Sequence, residues 1–233
     1  MRGLGTIINI LTVFLGGSLG ALIGENFNRK VRDTLLYAIG IFTLSIGFSY
    51  SFKTKNVLIP LFSILLGGLI GESIDIEQQL EKLAERVKKR IGSSDIRFSE
   101  GFVAASLLFC VGPMSILGSI TDGLSGDYKI LALKAVLDGF AGMALAASLG
   151  WGVVFSIVTI FFYQGGLTFV GYLLGNIFTR PMINEMTAAG GILIVGIGLM
   201  LLEIKKIRLA NLLPGIFIAP LLVYLLELLR ISY

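Results

Sequence analysis

Lys134 and Asp138 stand four residues apart in the apolar stretch Leu131-Ala-Leu-Lys134-Ala-Val-Leu-Asp138-Gly-Phe-Ala-Gly142. On a helix that spacing puts both charges on one face. An ionised group at mid-membrane costs at least about 2.5 kcal/mol on insertion scales, so such a face turns inward and marks an ion or substrate path. Two roles fit the pair. Asp138 binds a coupling ion or proton with Lys134 as its internal cation, or the two charges simply neutralise each other.

A second constellation precedes it, running Ser106-Leu-Leu-Phe-Cys110-Val-Gly112-Pro113-Met-Ser115-Ile-Leu-Gly118-Ser119-Ile-Thr121-Asp122-Gly123-Leu-Ser125-Gly126-Asp127. Pro113 removes a helical hydrogen bond and frees carbonyls near Phe109 and Cys110 inside an apolar run. Free backbone at that depth is tolerated only beside protein or a water-filled cavity. Gly112, Pro113, Ser115, Ser119 and Asp122 are thus candidates for a substrate or ion pathway, against an ordinary proline kink. Nothing near Cys110 in the sequence lowers its pKa, so small-residue packing competes with a reactive thiol. Secondary candidates are Gln164 beside Gly165 and Gly166, and Asn184-Glu185 before Thr187-Ala-Ala-Gly190-Gly191. A helix starting near Thr187 would aim its positive end at an anion, with capping by Asn184 or Glu185 as the plainer role.

The composition limits the chemistry further. With no histidine and the single cysteine Cys110, the chain lacks the commonest transition-metal ligand and cannot form an intrachain disulfide. No metal site and no cofactor are expected. No GxxxxGK[ST] occurs, which argues against a primary pump. No nucleophile is paired with an activating base, so the chain is read as a non-enzyme.

The elements that must hold these residues are membrane helices. A mean hydropathy of +0.88 with 55% hydrophobic and 15% charged residues exceeds what a soluble domain carries. Apolar runs cover roughly 5–24, 32–51, 56–73, 100–119, 129–149, 151–175, 186–203 and 210–230, about eight crossings. The first run ends in Gly20, Gly24 and Glu25 without a small-x-small cleavage site and is kept as a mature helix. Between the third and fourth runs, Leu80, Leu83, Val87 and Ile91 recur at helical spacing, with acids early and Lys88, Lys89 and Arg90 late. That pattern predicts an amphipathic helix over 75–91 lying at the membrane surface, or else a partner site.

Basic residues set the orientation. Placing 74–99 in the cytoplasm puts Arg29, Lys30, Arg32, the basic cluster from Lys82 to Arg97, and Lys205, Lys206 and Arg208 on that side. Both termini then lie outside. The net charge of +4 falls largely in these short loops, so it reports orientation and anionic lipid and not nucleic acid.

Residues 14–58 also match residues 165–209 without a gap. The identical pairs include Gly20/Gly171, Gly24/Gly175, Phe27/Phe178, Arg29/Arg180, Gly40/Gly191, Gly47/Gly198 and Lys55/Lys206. Five crossings separate the first run from the sixth, so the copies run in opposite directions. An inverted repeat of this kind is what alternating access uses. Glycine spacings such as Gly16, Gly20, Gly24 and Gly67, Gly71 allow close helix approach.

The segments LLFCVGPMSILGSITDGLSGD, LKAVLDGF, GTIINI and EMTAAGGILIVGIGLMLLEIKKIRLANLLP together resemble the YqgA/YdfK family of bacterial membrane proteins of unknown function. The resemblance spans essentially the whole chain, with FCVGPM and the following DG-x-x-GD turn its most specific parts. It implies a polytopic protein of the bacterial cytoplasmic (inner) membrane and supplies neither substrate nor site.

The expected fold is all-α, a polytopic transmembrane helix bundle with an inverted internal repeat and a cytoplasmic amphipathic helix. One membrane domain, 1–233, would comprise a first repeat (5–73), the amphipathic helix and loop (75–97), a central segment (100–149) and a second repeat (151–230). The expected function is secondary transport of a small solute or ion, with an oligomeric ion channel or a non-transport scaffold as alternatives. The expected partners are membrane lipid, that solute and a second copy in a homo-oligomer.

Overall fold

A computed structural model describes residues 2–92, 96–111, 113–174 and 178–229. The elements in chain order are α1 (Leu4–Glu25), α2 (Arg29–Ser51), α3 (Leu58–Ile74), α4 (Ile76–Ile91), α5 (Phe98–Val111), α6 (Pro113–Ser125), α7 (Lys129–Leu149), α8 (Gly152–Phe155), α9 (Ile157–Leu174), α10 (Arg180–Leu201), a 3₁₀ turn at Leu209–Leu212, and α11 (Pro214–Leu228). No strand forms among the described residues. Among the described residues six helical segments are long and apolar enough to cross a membrane, and the number reaches 8 if each of two bent pairs counts as one crossing. Their outward faces carry large apolar side chains such as Leu15, Phe42, Leu69 and Phe162, as lipid contact requires. The fold is the all-α polytopic bundle expected.

The boundaries carry the local chemistry. The expected crossing at 100–119 is two helices, α5 and α6, bent by 61°. Pro113 opens α6, where its missing N–H costs nothing but where continuous α5 hydrogen bonding must stop. The run at 151–175 is interrupted at Ser156, whose hydroxyl donates to the Val153 carbonyl at 2.7 Å and competes with the helix. The amphipathic stretch forms α4, with Glu77 in its first turn and Lys88, Lys89 and Arg90 in its last. Asp75, in the left-handed region at φ 52, separates α4 from α3, and the two helices bend by 54°.

The chain divides into two compact units. The first contains Met1–Ile39, Leu80–Cys110 and Met114–Asn176. Here α1 lies parallel to α7, because a Cβ on Gly16, Gly20 or Gly24 would strike the carbonyl oxygen of Gly139, Met143 or Ala147 in turn. At one end of this unit Arg97 donates to the Ser148 carbonyl at 3.4 Å and lies 3.6 Å from Asp33, while Phe98 packs on Phe155. At the other end Arg2 donates to the Leu124 carbonyl at 3.3 Å and sits over the Tyr172 ring. Helix α5 therefore starts beside the C-terminal end of α7, and α6 finishes beside the N-terminus of α1. The bent pair traverses the unit from end to end and does not turn back. Helix α9 runs the same way, since Thr159 meets Ser106 and Gln164 meets Ser115, and it is antiparallel to α1.

The second unit contains Gly40–Gln79, Val111–Pro113 and Ile177–Tyr233. Within it the C-terminal half of α2 packs antiparallel to α10 on glycine faces. A Cβ on Gly47 would meet the Gly191 carbonyl oxygen at 3.0 Å, one on Gly191 the Gly47 oxygen at 2.8 Å, and one on Gly198 the Gly40 oxygen at 3.0 Å. Helix α3 likewise runs antiparallel to the segment entering α11, with Gly67 on Gly215 and Gly71 on Asn211.

Gly20→Val is expected to destabilise the chain by about 1–3 kcal/mol, the usual cost of overpacking against atoms that cannot yield. Leu22→Ala, on an exposed position of the same helix, serves as the control. Thermal unfolding in detergent checks this, and equal midpoints for both variants would refute the close approach.

Candidate functional site

Most buried polar groups of the first unit lie on α1, α6, α7 and α9. Lys134 and Asp138 lie on the inward stripe of α7 with Leu131, Ala135, Gly142 and Leu145. Lys134 Nζ donates to Asp138 Oδ2. Asn9 Nδ2 donates to the same oxygen at 3.0 Å. The carboxylate thus has a cation and an amide donor, which it needs where water is excluded. Asn9 reaches it because the glycine face of α1 brings that helix against α7. Asn9 is fully buried, and its Oδ1 has no partner among the described residues.

Sequence inspection did not single out Asn9. Its signal is a lone amide inside the apolar GTIINI run, and a buried amide in such a run needs a partner.

Helix α6 presents Ser115, Ser119 and Asp122 along one face, all fully buried. Gln164 on α9 donates through Nε2 to Ser115 Oγ at 3.2 Å. One turn further along each helix stand Ser119 and Thr168. The oxygens Ser119 Oγ, Gln164 Oε1 and Thr168 Oγ1 are buried without a partner among the described residues. Small residues bring the two helices this close: a Cβ on Gly123 would strike the Thr168 carbonyl oxygen, and one on Gly171 would meet the Ile120 oxygen at 2.5 Å. Thr168 was also missed by the sequence, since one threonine in an apolar helix carries little pattern.

Asp122 has another task. Helix α1 begins after Gly3, which lies in the left-handed region at φ 85 and offers no side-chain cap. Asp122 Oδ1 and Oδ2 accept the amides of Gly3 and Gly5, each at 3.1 Å. A carboxylate from α6 therefore caps α1, satisfying amides that the sequence around Gly3 leaves orphaned.

Cys110 is buried and free, within electrostatic reach of the Lys134 and Asp138 charges. Gly112 lies outside the described residues, and Pro113 is the first residue of α6.

Glu185 belongs to the second unit. It accepts Thr54 Oγ1 at 2.6 Å and the Lys55 amide at 3.0 Å, so both of its oxygens tie down the turn between α2 and α3. Asn184 sits half-buried beside it. The helix start expected near Thr187 is corrected: α10 begins at Arg180, capped by Thr179, whose Oγ1 accepts the Met182 amide at 3.4 Å, with Pro181 in the first turn. Thr187 lies inside the helix and donates to the Ile183 carbonyl at 2.7 Å, so no helix N-terminus is aimed at an anion there. Among the described residues no group of three or more His, Cys, Asp and Glu is arranged to hold a metal ion.

Residues 4–224 match the family described as "Protein of unknown function (DUF554)". The chain belongs to this family. It is 31% identical over 227 residues to the "Uncharacterized membrane protein YdfK" of Bacillus subtilis (strain 168), covering 96% of each chain. It is 30% identical over 221 residues to the "Uncharacterized protein YqgA" of Escherichia coli (strain K12), covering 93% of this chain and 94% of the relative. The resemblance read from FCVGPM and its neighbours is thereby established. No solved structure matches. Like YdfK, this DUF554 chain is a multi-pass membrane protein, on its own apolar helices.

Asp122→Ala should lower stability by about 1–3 kcal/mol, the cost of stranding buried donors. Asp122→Asn retains one acceptor oxygen and should cost less. Unfolding midpoints in detergent order the two variants, and an alanine variant as stable as the parent would remove the capping role.

Proposed function

We propose that this chain is a small secondary transporter, moving a small solute or ion across the bacterial cytoplasmic membrane by alternating access through an inverted repeat. The observation that carries the reading is the reciprocity of the glycine contacts. Gly40 corresponds to Gly191 and Gly47 to Gly198 in the duplicated sequence, and the close contacts are Gly40 with Gly198 and Gly47 with Gly191. Each contact is the repeat image of the other, as a pseudo-two-fold axis between the copies requires. Helices α1 and α9, which also correspond, run antiparallel as well. Two similar halves facing opposite sides supply the two states of an alternating-access carrier.

The site under this reading is the Asn9, Lys134 and Asp138 group, together with Ser115, Ser119 and Gln164 on the neighbouring helices. Asp138 holds the coupling ion or proton, and Lys134 is the internal cation that occupies it otherwise. Cys110 lines the path as a small apolar residue. The cytoplasmic side is that of α4, whose basic last turn lies next to anionic headgroups.

Two experiments test the reading. Single cysteines at Asn28 and Thr179, both exposed, in a Cys110→Ala background should react with impermeant reagents from opposite sides. Labelling of both from one side would overturn the inverted repeat. In proteoliposomes on a solid-supported membrane, concentration jumps of sodium, potassium, phosphate and amino acids should evoke current in the parent. Asp138→Asn should abolish it. The double variant Lys134→Met/Asp138→Asn removes the stranded charge, so it should fold like the parent and still give no current. Recovery of current in the double variant would reduce the pair to a structural one.

A further inference from the structure

We propose that Ser115, Ser119, Gln164 and Thr168, on the facing stripes of α6 and α9, form a binding site for one monovalent cation of the sodium or potassium class. The proposal deepens the transporter reading and rests on it for its role, while the binding itself is measurable without transport.

The argument starts from what is left unpaired. Buried polar atoms are nearly always hydrogen-bonded, and each exception calls for a cause. Three of the exceptions, Ser119 Oγ, Gln164 Oε1 and Thr168 Oγ1, lie on the stripes of α6 and α9 that the Gln164–Ser115 bond turns toward each other. Ser119 and Gln164 are fully buried, and Thr168 is 7% exposed. The rung from Gln164 to Ser115 fixes the facing of the two helices. Residues four apart lie on one helix face, so Ser119 and Thr168 form the next rung of the same ladder.

The chemistry of the free atoms selects the ligand. All three are oxygens, and Ser115 Oγ completes a set of four neutral oxygen donors. The only nitrogen in the set, Gln164 Nε2, is spent on Ser115. Hard cations take oxygen ligands, and calcium or magnesium sites draw on carboxylates. None of these four residues carries one, which favours a singly charged ion over a divalent one. Asp122 stands one turn beyond Ser119 on α6 with its oxygens held by the Gly3 and Gly5 amides. It therefore lends negative potential to the site without entering it, and disfavours an anion. Lys134 is already neutralised by Asp138, so the α7 pair adds little net charge.

The test uses the purified full chain in detergent, with thermal midpoints measured in choline, sodium and potassium chloride at fixed ionic strength. In the parent, sodium or potassium should raise the midpoint above that in choline, with saturation, because a ligand of the folded state stabilises it. The double variant Ser119→Ala/Thr168→Val, whose two hydroxyls have no partner to lose among the described residues, should keep the parent's choline midpoint. Gln164→Leu also strands Ser115 Oγ and should lower it. In both variants the half-saturating cation concentration should rise by about tenfold or more. If Gln164→Leu fails to fold, the double variant decides.

An unchanged parent midpoint in all three salts overturns the site, leaving ordered water as the occupant of these oxygens. So does a cation response that survives undiminished in the double variant. A saturable cation response in a chain that gives no current would refute the transporter reading and leave the site standing.

Discussion

The contact of α1 with α7 through bare backbone is the constraint on which the first unit depends. Gly16, Gly20 and Gly24 present no side chain, so successive carbonyls of α7 sit directly against α1. In an apolar surround, association between helices comes from such packing and from polar contacts, not from water exclusion. The approach has two chemical consequences at separate levels. It brings Asn9 within 3.0 Å of Asp138, and it sets the N-terminus of α1 where Asp122 can cap it. A helix displaced by one side-chain thickness would take Asn9 away from Asp138, which keeps Lys134, and would take the Gly3 and Gly5 amides away from Asp122. Each hydrogen bond to a buried charged group lost in this way costs about 1.5–3 kcal/mol. The packing and the buried charges therefore hold each other in place.

The second unit uses carboxylates differently. Buried Glu185 is bound to Thr54 and the Lys55 amide, while Glu72, Asp75 and Glu77 hold Arg208, Ala210 and Asn211 between α10 and α11. The weights differ. The Arg208 pairs are about half exposed, and exposed ion pairs contribute only about 0–1 kcal/mol. Glu185 is 1% exposed, so loss of its partners would leave a charge without water. The turn after α2 is accordingly the better anchored of the two, although more charges surround Arg208.

How much of this was legible in the sequence depends on the range of the interaction. The crossings, the amphipathic α4 and the common face of Lys134 and Asp138 follow from periodicity and from the cost of charge in an apolar run, both local properties. The glycine faces were legible as spacing, but their partners were not. Nothing around Gly20 specifies Met143. Asn9 and Thr168 escaped notice because single polar residues become informative only when a distant helix is known to face them. Asp122 reads from sequence as a pathway residue for the same reason, since its amide partners lie well over a hundred positions earlier. The start of α10 is a local feature of another sort. Thr179 and Pro181 carry its capping pattern, which is readable without any structure.

The duplicated residues and the chemical residues are largely different sets. Gly20, Gly40 and Gly47 recur as Gly171, Gly191 and Gly198, and every one of them lies at a close helix contact. The polar residues of the candidate site do not recur. Thr168 aligns with Gly17, Asn9 and Gln164 precede the matched segments, and Ser115, Ser119, Lys134 and Asp138 belong to the stretch between the copies. Glycine pairs shared by the two matched segments, such as Gly20/Gly171, thus lie at close helix contacts, and the buried charges and hydroxyls of the first unit's site lie outside the shared set. Under the proposed function this asymmetry has a mechanical meaning. A two-fold frame interconverts two equivalent states, while a single polar set keeps one site per chain, so the halves exchange roles around chemistry that neither of them owns.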